Sequence, residues 1–488
     1  MRERVTTNDD ALSITMLKSD VDSIVYLDVH DDQNSEYKIE DITGVENFKN
    51  LKRFSLTQGN NVFNEASDTT IHSIEPLKDL KNLRTLILSH VSVTDLSPIE
   101  NLTELTGLAV TGCKEADLSV LAGCTKLVSL YIGGCNMDDE SFKVVSNFKN
   151  LRSLSIGDQN MTGNNVTDLS PVEACSQLTY INFSNNKVTS VEPLKNLTGL
   201  SEIECYNNQV TDLTPLAGLE NLRELRLGRD TYSHGNPVAT LEPIKNLKLT
   251  TLKASRCQLS DIEALRDMKT LTDLDLSGNH IEDFSPVEDL PELRKEDLQI
   301  FDQSYKVDAK IGDEVKLPEA FAQAIDPNSK IYDESVTFGV ENGTLSEDQK
   351  TFTVGADEDS AFVYAKGNTH GIWGDGFTGS TLKINVMDYK KPEPEVKPEP
   401  EVKPQPEVKP QPEVKPQPEV KPAEEIVVPE SSATCGKETA TEERITPDTE
   451  ERVAPATGDA YAKVAVCLVV LLILSGAVIL LSARKKNR

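Results

Sequence analysis

The chain is poor in aromatic side chains, in cations and in histidine. Phe, Trp and Tyr make up 5% of its 488 residues, which suits a core built from leucine and other aliphatics. Fifty Lys and Arg stand against 80 Asp and Glu, a formal net charge of −30. Most of such a surface repels nucleic acid and anionic membranes, so neither is expected as a partner. The six His residues are scattered, with no H-E-x-x-H or Cys/His spacing to hold a metal. Ser, His and Asp form no catalytic pattern, so no enzymatic activity and no cofactor are expected. Gly374, Gly376 and Gly379 spell G-x-G-x-x-G, but strand-like TLKINV follows where a phosphate loop needs a helix. That segment reads as a glycine-rich hairpin or loop. Residues 1–23 hold no apolar run of signal-peptide length.

What the chain does have is repetition. The stretch LSEIECYNNQVTDLTPLAGLEN, from Leu200 to Asn221, has the frame L-x-x-L-x-L-x-x-N-x-[VI]-x-D-[LI]-x-P. The frame opens at Ile24, Leu51, Leu83, Leu105, Leu127, Leu151, Leu178, Leu200, Leu222, Leu249, Leu271 and Leu293, mostly 22 residues apart. Self-similarity at this period marks a leucine-rich-repeat solenoid. In each coil the L-x-L segment is a short strand with alternating faces. Leu225 and Leu227 point inward and Arg226 outward. The D-L-x-P segment starts a helical turn, with Asp212 or Thr214 as cap and Pro215 where no amide donor is needed. One coil cannot bury its leucines alone, so neighbours must share a core.

Six of the eight cysteines fall in this register. Cys113, Cys135 and Cys257 occupy the slot of Asn186, Asn208 and Asn279. Cys124 and Cys175 precede the next opening Leu by three residues, and Cys205 is an inward strand position. All six read as small buried side chains. Cys113 and Cys135 stack in adjacent coils about 5 Å apart, so distance leaves a disulfide between them open.

Four coils carry insertions just beyond the strand, hence on one rim of the solenoid: HDDQNSEYKIED, TQGNNVFNEASDTTIHS, GDQNMTGNNVTD and GRDTYSHGNPVAT. Insertions on one rim often mark a binding side; drift in surface loops is the other reading. MDDESFKVVSNFKN lengthens the convex side instead and predicts a fuller helix.

After Leu298 the frame stops. Runs such as KVDAKIGDEVKLP, SVTFGV, TFTVGA, AFVYAKG and TLKINVMDY, separated by turn signals, predict a small Ig-like β-sandwich over 299–388 that covers the open end of the solenoid. Residues 391–422 repeat KPEPEV and KPQPEV. Proline at alternate positions favours extended polyproline II, and these 32 residues span roughly 100 Å as a stiff stalk. From Val464 to Ala483 runs an uncharged stretch of bilayer-spanning length, followed by Arg484, Lys485, Lys486 and Arg488. The positive-inside rule places that tail in the cytoplasm and the rest outside, which predicts a longer precursor with an export signal.

Ala454-Pro455-Ala456-Thr457-Gly458, the apolar segment and the basic tail resemble, in that order, the sorting signal of Gram-positive surface proteins. The resemblance implies that a sortase cuts after Thr457 and joins it to peptidoglycan; Ala454 stands where the usual residue is Leu. A simple single-span membrane anchor is the alternative. With the 22-residue period, the N-x-[VI]-x-D-[LI]-x-P frame and YKIEDITGVENFKNL (Tyr37 to Leu51), the chain resembles the internalins. That implies a cell-surface, protein-binding repeat array, often an adhesin; a structural wall scaffold is the competing reading.

The expected organisation is therefore 1–44 polar cap and first coil, 45–298 leucine-rich repeats, 299–388 sandwich, 389–453 stalk and 454–488 sorting signal with a transmembrane helix at 464–483. The expected class is an α/β solenoid horseshoe of about 12 coils with these appendages. Its protein ligand is expected on the concave face or the insertion-bearing rim. Outward strand positions there include Tyr131, Ser155, Asn182, Glu204, Arg226, Lys253 and Asp275, with Tyr180, Glu202, Tyr206, Glu224, Arg229 and Arg256 beside them. Four cations in two adjacent coils stand out on an acidic chain, and Tyr and Arg are enriched at interface hot spots. The coils from Leu178 to Leu249 are thus the expected contact, with Tyr206 and Arg226 at its centre; an ordinary solvated face is the other reading.

Overall fold

The computed structural model describes residues 22–31, 41–58, 71–91, 93–114, 116–157, 163–229, 234–366 and 379–390. Twelve strands form one parallel sheet in chain order. They are β1 (Tyr26–Asp31), β2 (Arg53–Gln58), β3 (Thr85–Ser89), β4 (Gly107–Thr111), β5 (Ser129–Gly133), β6 (Ser153–Ser155), β7 (Tyr180–Asn182), β8 (Glu202–Glu204), β9 (Glu224–Arg226), β10 (Thr251–Lys253), β11 (Asp273–Asp275) and β12 (Leu298–Gln299). From β1 to β11 each strand begins two residues after its opening aliphatic. In the last coil a 3-10 turn, Lys295–Asp297, pushes β12 further on. Parallel order follows from the repeat: every coil returns the chain to the same edge. Ile203, Leu225, Leu252 and Leu274 fall in one register and are fully buried.

The convex side departs from the α/β expectation. Its elements are mostly short 3-10 turns such as Glu192–Leu194, Thr214–Leu216 and Glu242–Ile244. A 22-residue coil leaves only a few residues for that side, and a single turn tightens to 3-10 geometry. Proline sits in the first turn of most. Asp212, not Thr214, supplies the cap: its Oδ1 accepts from the Thr214 amide at 2.8 Å. Asp95, Asp117, Asp168, Asp261 and Asp283 do the same in their coils. In others Ser73, Ser190 and Thr240 accept through their hydroxyls. The lengthened convex segment does form a fuller helix, α1 (Asp139–Phe142) running into a 3-10 turn at Lys143–Asn147. A second four-residue helix, α2 (Ser285–Glu288), lies in the coil of β11.

Beyond β12 the expected strand runs all appear: β13 (Ser304–Ala309), β14 (Glu314–Lys316), β15 (Thr337–Glu341), β17 (Thr351–Val354), β18 (Ser360–Lys366) and β19 (Thr381–Val386). Helix α3 (Glu319–Ile325) and the short strand β16 (Gly343–Leu345) join them without having been expected. One sheet has the order β13-β19-β18-β15, the other β14-β17-β16. This module closes the end of the solenoid. The Tyr305 hydroxyl donates to the Ile281 carbonyl, the Ala320 amide to Glu282 at 2.7 Å, and the Gln323 amide group to Asp283 at 2.7 Å. The Glu288 carboxylate accepts from the Ser329 hydroxyl and the Lys330 amide.

The insertion tips at 32–40, 59–70, 158–162 and 230–233, Gly374 and Gly376, the stalk, the sorting signal and Val464 to Ala483 lie outside the described residues. Among the described residues no helix is long and apolar enough to cross a membrane.

Candidate functional site

The concave face is set by the parallel register. Tyr131, Ser155, Asn182, Glu204, Arg226, Lys253 and Asp275 align in one row across β5–β11. Tyr180, Glu202, Glu224, Thr251 and Asp273 align in the next row across β7–β11. All of the strand residues expected at the site therefore share one face. Their exposure is less uniform: Asn182, Glu204 and Asp275 are nearly buried between neighbours, while Tyr180, Glu202, Glu224, Arg226 and Lys253 are half-buried.

Arg226 is the centre of an ion cluster. Its Nη2 lies 3.1 Å from Glu224, and its Nε 3.5 Å from Glu204 and 4.0 Å from Glu202. Burial disfavours the guanidinium charge, but Glu204, Glu224 and Glu202 outweigh it and hold the arginine more firmly protonated. Asn182 orients Glu204, donating to Oε2 at 2.9 Å, while its own Oδ1 takes the Ser184 amide at 2.9 Å. Lys253 pairs with Asp273 at 2.5 Å. Asp275 accepts from the Ser277 amide at 3.0 Å, and burial pushes its carboxyl pKa up. Asp273 was missed by reading single cations; its signal was its register with Glu202 and Glu224, two residues after an opening Leu.

Three expected site residues behave differently. Tyr206 is only 2% exposed. It sits beyond β8 in the turn, where the Arg229 guanidinium stacks 5.5 Å from its ring centre and donates to its hydroxyl at 3.2 Å. Arg229 likewise lies past β9, so this pair packs against itself at the rim. Arg256 lies past β10 with a left-handed backbone, φ 54°. Its side chain crosses Gly278, where an added Cβ would sit 2.7 Å from its Cγ, and it approaches Asp302 at 4.0 Å.

Behind the face runs a ladder of buried amides. Asn208 accepts the Val188 amide at 2.9 Å and donates to the Phe183 and Cys205 carbonyls at 2.9 and 3.0 Å. Asn186 and Asn279 make equivalent bonds, so the shared slot is real. Asn164, Asn236 and Gln303 belong to it too. Sequence spacing missed them because insertions put Asn164 thirteen residues after its opening Leu instead of eight. All six described cysteines are buried and free, so the pairing of Cys113 with Cys135 left open by spacing is not formed. A mutual hydrogen bond lowers the Cys113 thiol pKa and raises that of Cys135.

A family description, "Leucine Rich repeats (2 copies)", matches residues 247–293. The fold is a leucine-rich-repeat solenoid. Among solved structures, an internalin of Listeria monocytogenes is 26% identical over 60% of this chain and 84% of its own, with a TM-score of 0.45. A leucine-rich-repeat protein of Leptospira interrogans is 19% identical over 59% of this chain and 75% of its own, TM-score 0.43. The functional domain of InlJ of Listeria monocytogenes, described as including a cysteine ladder, is 15% identical over 78% of this chain and 94% of its own, TM-score 0.38. No curated protein matches the chain. The assignment of the solenoid rests on its own twelve-strand register and the repeat match, not on these likenesses.

Proposed function

We propose that the chain is an internalin-like surface scaffold of a Gram-positive bacterium that binds a protein partner across β7–β11. One observation carries this reading: tyrosine and charged side chains from five successive strands share one half-buried face, already held in place by bonds among themselves. Side chains ordered before binding lose less entropy on contact. Tyr180 and the Glu202, Glu224 and Arg226 group are the contacts in this reading. Tyr206 is not, because its burial makes its removal a test of stability. The module at 299–388 is read as Ig-like, the stalk as a spacer and Ala454 to Gly458 as the sortase signal that leaves Thr457 joined to peptidoglycan.

A photo-crosslinking residue at Tyr180, compared with one at Glu242 on the convex side, tests the face in intact cells of the native host. A partner adduct from the concave position alone supports the reading; equal adducts from both reject it. Thr457→Ala tests the anchor: the protein should shift from the fraction released by wall-digesting enzyme to the membrane. An unchanged distribution rejects the sorting signal.

A further inference from the structure

We infer that Cys113 and Cys135 are a redox-sensitive pair: hydrogen peroxide, or another small peroxide, joins their sulfurs and ties the coil of β4 to the coil of β5. This inference stands on the solenoid core and does not use the concave-face reading.

The repeat puts the two thiols together. Each occupies the ladder slot eight residues after its opening Leu, and they lie one 22-residue repeat apart. Strands β4 and β5 keep their register up to Thr111 and Gly133. The turns that follow are alike: Gly112 and Gly134 are both left-handed, φ 83° and 58°, and each directly precedes its cysteine. The Gly112 amide bonds the Gly133 carbonyl across the coils at 3.1 Å. Coils stack about 4.8 Å apart. That spacing lies inside the range of roughly 4.4–6.8 Å between Cα atoms that a disulfide needs. Stacked side chains run parallel, so the Cβ atoms start slightly beyond the usual range of about 3.5–4.5 Å and the two turns must close a little. The glycines beside both cysteines give them that freedom.

The two thiols are also hydrogen-bonded to each other. The Cys113 thiol has the Val91 carbonyl as acceptor at 3.6 Å. The Cys135 thiol has three acceptors, the Val110 and Gly133 carbonyls at 3.6 and 3.4 Å and the Cys113 sulfur. The bond from Cys135 lowers the Cys113 pKa against the effect of burial; the same bond and burial raise that of Cys135. Cys113 is therefore the sulfur that ionises first. The backbone beside Cys135 does not depend on its thiol, because Asn164 takes the Cys135 and Met137 amides at 3.1 and 3.0 Å.

No other described cysteine has such a neighbour. Cys124 and Cys175 share a slot, but buried Phe148 fills it in the coil between them. Cys205 and Cys257 lie on either side of the coil of β9, whose Asn236 stands 3.8 Å from the Cys205 sulfur. Val91 and Asn164 hold the ladder positions beyond the pair.

Hydrogen peroxide is small and uncharged, and a brief opening of the glycine turns admits it. The Cys113 sulfur takes one oxygen as the O–O bond breaks, and the other leaves as water with the Cys113 proton. The Cys135 sulfur then attacks the sulfenic sulfur, the S–O bond breaks, and a second water leaves with the Cys135 proton. Two thiols are oxidised to one disulfide while one peroxide is reduced to two waters.

The test treats the full native chain with hydrogen peroxide, removes the excess with catalase, blocks the remaining thiols in denaturant and maps peptides without reductant. A Cys113–Cys135 link should form at least about tenfold faster than any oxidation of Cys124 or Cys175, which report general opening of the fold. It should raise the melting temperature by several degrees by closing a loop in the unfolded chain, and dithiothreitol should reverse both effects. C135S should leave Cys113 as a sulfenic acid, trapped by dimedone as the protein is unfolded, whereas C113S should leave Cys135 a thiol. If either serine variant does not fold, the mapping of the parent chain decides. Oxidation of Cys124 and Cys175 as fast as the pair overturns the proposal. So does a link that forms only in denaturant, or none at peroxide levels that oxidise free glutathione.

Discussion

At the residue scale, the buried amide ladder does what leucines cannot. Each rung joins two neighbouring coils: Asn208 takes the Val188 amide of the coil before it and donates to the Cys205 carbonyl of its own. The residue before many rungs is left-handed, including Asn185, Asn207 and Gly278, which explains why glycine and asparagine recur there. Asn208→Ala should strand the Val188 amide in a dry interior, while the Phe183 and Cys205 carbonyls keep Asn186 and Asn236, and cost about 1–3 kcal/mol. Cys257 fills the same slot with no amide, and its backbone is satisfied by Asn279. Cys257→Ala should therefore cost only about 1 kcal/mol. Urea unfolding of both variants checks the contrast; equal losses would mean that the slot is mere packing. The thiols give a second check. Burial pushes Cys124 and Cys175 up to about 11, and Cys205 and Cys257 further still. Burial from the reagent should leave all six cysteines, Cys113 with its lowered pKa included, unlabelled by a thiol reagent in native protein at pH 7.5, and labelled in denaturant, as peptide mapping will show.

At the element scale, a strand and a capped 3-10 turn make one coil. Leu225→Ala removes a fully buried side chain from the shared core and should cost about 2–5 kcal/mol, read by denaturant unfolding. The caps make stability pH-dependent. Hydrogen bonds from Ser97, Ser119 and Thr214 hold Asp95, Asp117 and Asp212 below the usual carboxylate value of 3.8. A depressed folded pKa means that this stabilisation is complete above the unfolded range and is lost as pH falls through the folded values. The melting temperature should therefore drop as the pH is lowered below about 4. Asp275 acts oppositely: its raised pKa makes ionisation unfavourable to the fold as pH rises past 3.8. Asp212→Ala should lower the melting temperature at pH 7 and leave it nearly unchanged at pH 2.5. An equal drop at both would assign the loss to packing.

At the scale of the whole molecule, the solenoid and the module after it share hydrogen bonds that neither could replace alone. Gln303 is the last ladder rung, taking the Ile281 amide at 3.1 Å, while its backbone binds Ser380 and Thr381 of the module. The two parts should unfold in a single urea transition, and Gln303→Ala should lower its midpoint for both. Two separated transitions, with only one shifted by the substitution, would show that the module is an independent bead.

The sequence by itself determined the number of coils, the strand positions, the inward leucines, the buried cysteines and the strand runs of the module. Those follow from periodicity, because alternation along a strand and recurrence along a chain are local properties. Tertiary structure decided how the charges combine. Glu202 and Glu204 come from one coil and Glu224 and Arg226 from the next, and the parallel register brings the two pairs within ion-pair distance. It also buried Tyr206, turned Arg256 off the face, and revealed Asn164, Asn236 and Gln303 as rungs that insertions had moved out of step. A spacing states which residues share a row; what each touches there depends on neighbours 20 or more residues away. That is why Arg226, one outward cation among four in the sequence, sits among three glutamates in the fold, while Arg229 and Arg256 leave the strand face.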